Sequence, residues 1–79
     1  MSTNETTLRF RFHCGPSAVK EVAEKMNASP LVLACAGTEH VYGTVRLPAD
    51  GQESTTFAIL AKELLGWNPG YTSLIAVNG

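Results

Sequence analysis

Thr7-Leu8-Arg9-Phe10-Arg11-Phe12-His13 alternates apolar and polar residues with period two, and so does Val41-Tyr42-Gly43-Thr44-Val45-Arg46-Leu47. Such alternation marks a strand with one buried and one open face. In these runs Leu8, Phe10, Phe12, Val45 and Leu47 fall on the buried side. Arg9, Arg11, His13, Tyr42 and Arg46 fall on the other. If the two strands are neighbours, every arginine of the chain shares one sheet surface with a histidine and a tyrosine. This is the surface from which a function is expected, as a partner-binding face.

The flanking sequence supplies the other elements. Gly15-Pro16-Ser17 stops the first strand and opens a helix, in which proline is tolerated in the first turn and Ser17 is a candidate cap. Val19, Val22, Ala23 and Met26 follow at helical spacing, with Lys20, Glu21, Glu24 and Lys25 on the other side. Asn27-Ala28-Ser29-Pro30 ends this helix, because the residue before a proline disfavours the helical region. The uncharged run 31–36 reads as a second strand. Gly37-Thr38-Glu39 connects it tightly to the strand 40–47, and Pro48-Ala49-Asp50-Gly51 turns the chain. A second helix is expected over 54–65 with the stripe Phe57, Leu60, Ala61 and Leu64, stopped by Gly66. Trp67, expected to pack after that stop with an exposed partner anchor as its other reading, leads into a last strand over 71–77.

Seventy-nine residues make one domain near the lower limit for a self-sufficient core. A hydrophobic content of 44% with 16% charged residues is that of a folded chain. Residues 1–6 are polar and expected to form a loose tail, leaving 7–79 as the domain. The formal net charge of −1 gives no general attraction to nucleic acid or anionic membrane. No apolar run approaches the ~20 residues of a membrane span, and the N-terminus lacks a secretory pattern, so the expected location is cytoplasmic. In that compartment Cys14 and Cys35, both in apolar surroundings, read as buried thiols. His13, Cys14, Cys35 and His40 have no recognised metal-ligand spacing, and no metal or other cofactor is expected. No Ser-His-Asp order, glycine-rich phosphate loop or paired-carboxylate motif is present, so the chain is read as non-enzymatic.

The element order β-α-β-β-α-β, with one apolar stripe on each helix, resembles the ferredoxin-like split β-α-β arrangement over the whole chain. The resemblance implies an α+β fold: a four-stranded antiparallel sheet in the order 4-1-3-2, with both helices on one face. Strands two and four are then edges. Neither carries a charge, the usual device against edge pairing, and Val32, Ala34 and Ile75 are the expected edge-strand interface to a partner or a second copy.

Three narrower resemblances bear on function. RNA-recognition-motif domains share this element order and stack bases on aromatics of strands one and three. His40–Leu47 resembles their strand-three signature at Tyr42, Gly43 and Val45, with Thr44 where a stacking aromatic belongs. It implies nucleic-acid binding through the arginine face. Cys14-Gly15-Pro16-Ser17 resembles the Cys-Gly-Pro-Cys of thioredoxins with serine for the second cysteine. Heavy-metal-associated domains carry Cys-x-x-Cys in the same loop. Both imply a monothiol redox or metal-handling role for Cys14. By type, a small, mildly acidic single domain resembles accessory proteins of phages and mobile elements, which inhibit host complexes including CRISPR machinery. The leading expectation is therefore an interaction domain with a protein or nucleoprotein partner, and the arginine stripe is its expected contact surface.

Overall fold

A computed structural model describes residues 4–70 and 72–77. The described residues form β1 (Glu5–His13), α1 (Val19–Met26), β2 (Val32–Ala36), β3 (His40–Pro48), α2 (Glu53–Leu65) and β4 (Ser73–Ala76). One antiparallel sheet runs β2-β3-β1-β4, which read from its other edge is 4-1-3-2. The two alternating runs are therefore the two central strands, each flanked on both sides. Leu8 lies opposite Val45, Phe10 opposite Gly43 and Phe12 opposite Val41.

The core lies on one side of this sheet. Leu8, Phe10, Phe12, Val32, Val41, Val45 and Leu47 are buried together with Val19, Val22, Ala23 and Met26 of α1 and Phe57, Ala61 and Leu65 of α2. The sheet residues in this cluster all have one parity, so both helices cover the same face and leave the other open. Phe10 ties the layers together: its ring centroid is 5.1 Å from that of Phe57 and 6.1 Å from that of Phe12.

Several local expectations need correction. β1 begins at Glu5, and Asn4 accepts a hydrogen bond from the Ala49 N–H at 2.8 Å, so residues 4–6 belong to the fold and not to a tail. Residues 1–3, the rest of that expected tail, lie outside the described residues. So does Tyr71, expected in the last strand, which runs from Ser73. Ser17 does not cap α1. The helix starts from Ala18 without a side-chain cap, after the turn Pro16–Ala18. In α2 the buried line is Phe57–Ala61–Leu65, spaced by four, and Leu60 and Leu64 are half-buried at its border. α2 ends as expected at Gly66. There φ is 84°, a left-handed conformation that costs glycine nothing, and its N–H caps the Lys62 carbonyl at 2.8 Å.

A candidate partner-binding face on the open sheet

The register places the expected site residues on one surface. Across the sheet, Leu33, Thr44, Arg9 and Ile75 form one row, and Cys35, Tyr42, Arg11 and Ser73 the next. Arg46 sits opposite Thr7, one row beyond Arg9, and His13 sits opposite His40 at the far end. Same-face neighbours along a strand are about 7 Å apart, and diagonal neighbours on adjacent strands about 7–8 Å. Arg46, Arg9 and Arg11 thus form a continuous basic stripe across the two central strands. All three are exposed, and among the described residues none has an acidic partner within salt-bridge distance.

Charge is unevenly divided between the two sides of the molecule: of the carboxylates among the described residues, only Glu5, which shares the parity of Arg9 and Arg11 at the start of β1, and Glu39, beside His13, border the open face. All three arginines are on the open sheet face, whereas Lys20, Lys25 and Lys62 are on the helices with Glu21, Glu24, Glu53 and Glu63. Glu39 and Asp50, near in sequence to β3, do not pair with the arginines. Glu39 instead accepts from Nε2–H of His13 at 2.9 Å; a carboxylate only accepts, so Nε2 carries the proton. His13 also meets His40 edge to face, at 5.1 Å between centroids.

The stripe is embedded in apolar surface. Leu33 is 73% exposed, Ile75 58% and Tyr42 46%, and Val77 is exposed beside them. Four of the six large exposed hydrophobics among the described residues are therefore on this face, and Ile59 is on α2. Trp67 is exposed and not packed away. Arg9, Arg11, Tyr42, Thr44, Ser73 and Ile75 line a shallow depression of about 780 Å³ along the middle of the face. A second, of about 230 Å³, lies at its end between Arg11, His13, His40 and Pro69.

The two edges differ, and the expectation for β2 is overturned. Val32 is only 3% exposed and belongs to the core, and Ala34 faces the same way. The outward side chains of β2 are Leu33 and Cys35. Its edge is also partly blocked. The Asn27 side chain donates through Nδ2 to the Ala34 carbonyl at 2.9 Å and accepts from the Ala34 N–H through Oδ1 at 2.8 Å. The Val32 N–H is held by the Ser29 carbonyl at 3.2 Å. One amide side chain imitates a neighbouring strand and occupies both groups of Ala34, in the middle of the edge along which another chain would pair. No sequence signal distinguishes this Asn27 from an ordinary helix stop. On β4, by contrast, the Ile75 side chain is exposed.

Gly43 also has a structural cause. A Cβ there would run into the Leu33 carbonyl oxygen and lie 2.9 Å from the Ala34 Cα. Its place in the strand-three resemblance to RNA-recognition motifs reflects the closeness of β2. The other half of that resemblance fails at the core. Phe10 and Phe12 are fully buried, leaving Tyr42 as the one exposed aromatic of the central strands among the described residues.

The cysteines part company. Both are free thiols; Cys35 is exposed on the open face, against expectation, and Cys14 is partly buried. Partial burial pushes the Cys14 thiol above its ordinary pKa, because desolvation disfavours thiolate. The N-cap of α1, Ala18, lies four residues beyond Cys14, so the thiol is not at the helix N-terminus, where a thiolate would be stabilised. Among the described residues no three histidine, cysteine or acidic side chains converge on a possible metal position, and no helix is long and apolar enough to cross a membrane. No protein-family model, curated protein or solved structure matches the chain.

Proposed function

We propose that the chain is a non-enzymatic interaction domain whose open sheet face docks onto an acidic surface of a protein or nucleoprotein partner. The observation that carries this reading is the composition of the face: arginines without acidic partners among the described residues, set among exposed Leu33, Tyr42, Ile75 and Val77. Protein interfaces are enriched in aromatic residues and arginine, with an apolar centre. Four strands about 4.8 Å apart make a surface of the scale of one side of a standard interface, about 800 Å². Arginine adds a preference for carboxylates, which it binds through two parallel hydrogen bonds.

The sheet order and the one-sided helices support the ferredoxin-like reading of the connectivity. Two free thiols suit a reducing compartment such as the cytoplasm. A phage-type inhibitor of a host complex, CRISPR machinery included, works by covering a surface and needs no more than such a face. Nucleic acid is the second reading, favoured by Tyr42 lying directly beside Arg11. A lone exposed aromatic makes a poor stacking platform, which ranks this reading lower.

The test compares the parent chain with R9A/R11A/R46A, after circular dichroism shows both folded, in capture from a host lysate and in titration with a single-stranded RNA 20-mer. A partner that is retained by the parent and lost by the variant supports the reading. Equal retention by both refutes it. RNA binding that weakens steeply with salt, with the slope flattened by about one unit per lost arginine, would select the nucleic-acid reading instead.

A further inference from the structure

The blocking of one sheet edge and not the other bears on how a partner approaches. In an antiparallel ladder the N–H and C=O of a residue point to the same side, and successive residues alternate. The Val77 N–H bonds the Thr7 carbonyl at 3.0 Å, and Ser73 and Ile75 lie opposite Arg11 and Arg9. Ser73, Ile75 and Val77 therefore turn their backbone groups toward β1. Leu74 and Ala76 turn theirs outward, and among the described residues nothing bonds to them. On β2 the corresponding groups of Ala34 are both held by Asn27. The β2 edge is blocked at its middle and at the Val32 N–H, whereas β4 is an open template along its length, without charge or proline within it.

We infer that the partner engages as an extended acidic segment of another protein, which adds as a fifth strand along β4 and places a carboxylate against Arg11. This deepens the docking reading above and rests on it. Charge complementarity selects the occupant. A strand added outside β4 lies about 10 Å from β1, two strand spacings away. The residue of β4 between Arg11 and that strand is Ser73, small enough for a guanidinium and a carboxylate to meet above it. Backbone pairing along β4 supplies affinity, and an acidic side chain on the open face supplies selectivity. A second copy fits less well. Thr72-Ser73-Leu74-Ile75-Ala76-Val77 contains no acidic residue, so a paired copy would offer Arg11 no carboxylate and bring its own arginines alongside.

The test is a titration of the isotopically labelled chain with a blocked ten-residue peptide alternating glutamate and threonine, its lysine–threonine counterpart serving as control. The acidic peptide should slow amide hydrogen exchange at Leu74 and Ala76 at least tenfold and leave Ala34 unchanged. Ala76→Pro removes an outward N–H and no ladder bond, so it should leave the fold intact and abolish this binding. Arg11→Ala should weaken binding about tenfold, the effect of losing one charge-assisted pair. If Arg11→Ala weakens binding while Leu74 and Ala76 stay unprotected and Ala76→Pro has no effect, strand addition is overturned and the docking face stands. If R9A/R11A/R46A binds the peptide as the parent does, both readings fall. Protection of Leu74 and Ala76 without peptide, rising with protein concentration alongside a dimer in sedimentation, would make the second copy the occupant and overturn the inference.

Discussion

Gly43 lies where two central requirements of this sheet meet. It pairs with Phe10 on one side and Ala34 on the other, and the β2 backbone passes where its side chain would stand. Gly43→Ala must push β2 outward, and that motion also strains the Asn27 bonds to Ala34. It should destabilise the fold by about 1–3 kcal/mol, although alanine normally favours ordered structure over glycine. Urea denaturation gives the sign directly, and a neutral or stabilising result would contradict the close approach. The thiols make a second prediction at this scale. Cys35 should react quickly with a thiol reagent in the native state and Cys14 slowly at neutral pH. Because the folded pKa of Cys14 is raised, the stability linked to it is present in full below the unfolded pKa. It is lost as pH rises through the folded one. Cys14→Ala should flatten that alkaline loss in thermal melts, and a faster reaction at Cys14 than at Cys35 would reopen the redox reading. The reading of Cys35 as buried failed for a simple reason. In a uniformly apolar, small-residue strand, parity carries no label, so nothing in 31–36 tells the inward face from the outward one.

At the scale of elements, legibility follows contrast. β1 and β3 alternate arginine, histidine or tyrosine with phenylalanine, valine or leucine, and a one-residue slip would bury charge, so their faces could be read directly. α1 has the same contrast, and Val19, Val22, Ala23 and Met26 are all buried. α2 is apolar around more of its circumference, so its buried line moved by one position, from Leu64 to Leu65, without a polar residue to object. The Asn27 clamp is invisible to periodicity, because it joins the end of α1 to a strand seven residues on through tertiary geometry. It makes a definite prediction. Asn27→Ala should cost about 1–2 kcal/mol, since water replaces part of two exposed hydrogen bonds. Its larger effect should be on association: with Ala34 unsealed, the variant should self-associate with rising concentration in light scattering, where the parent does so less. Asn27→Asp keeps the acceptor for the Ala34 N–H but sets a carboxylate oxygen against the Ala34 carbonyl, so it should behave nearer to alanine than to asparagine.

For the whole molecule, position outweighs total charge. The formal net charge is −1, yet the arginines occupy one face and the lysines and most carboxylates the other side. Two like charges about 7 Å apart repel by about 0.6 kcal/mol in a water-like dielectric, a small cost that a carboxylate placed between them would reverse. The stripe is thus tolerated in the free domain and favours an acidic surface brought against it. A measurement that needs no partner separates placement from sum. At low ionic strength, where the Debye length reaches about 30 Å, a sulfonate resin presents a flat anionic surface to whichever face suits it. The parent chain should be retained at pH 7 despite its net negative charge. R9A/R11A/R46A should pass through. K20A/K25A/K62A, which loses the same three positive charges from the helices, should still be retained and should elute near the parent's salt concentration. If the two triple variants elute together, the resin senses only net charge. The arginine face would then be an ordinary solvated surface, and an acidic partner would have no reason to prefer it.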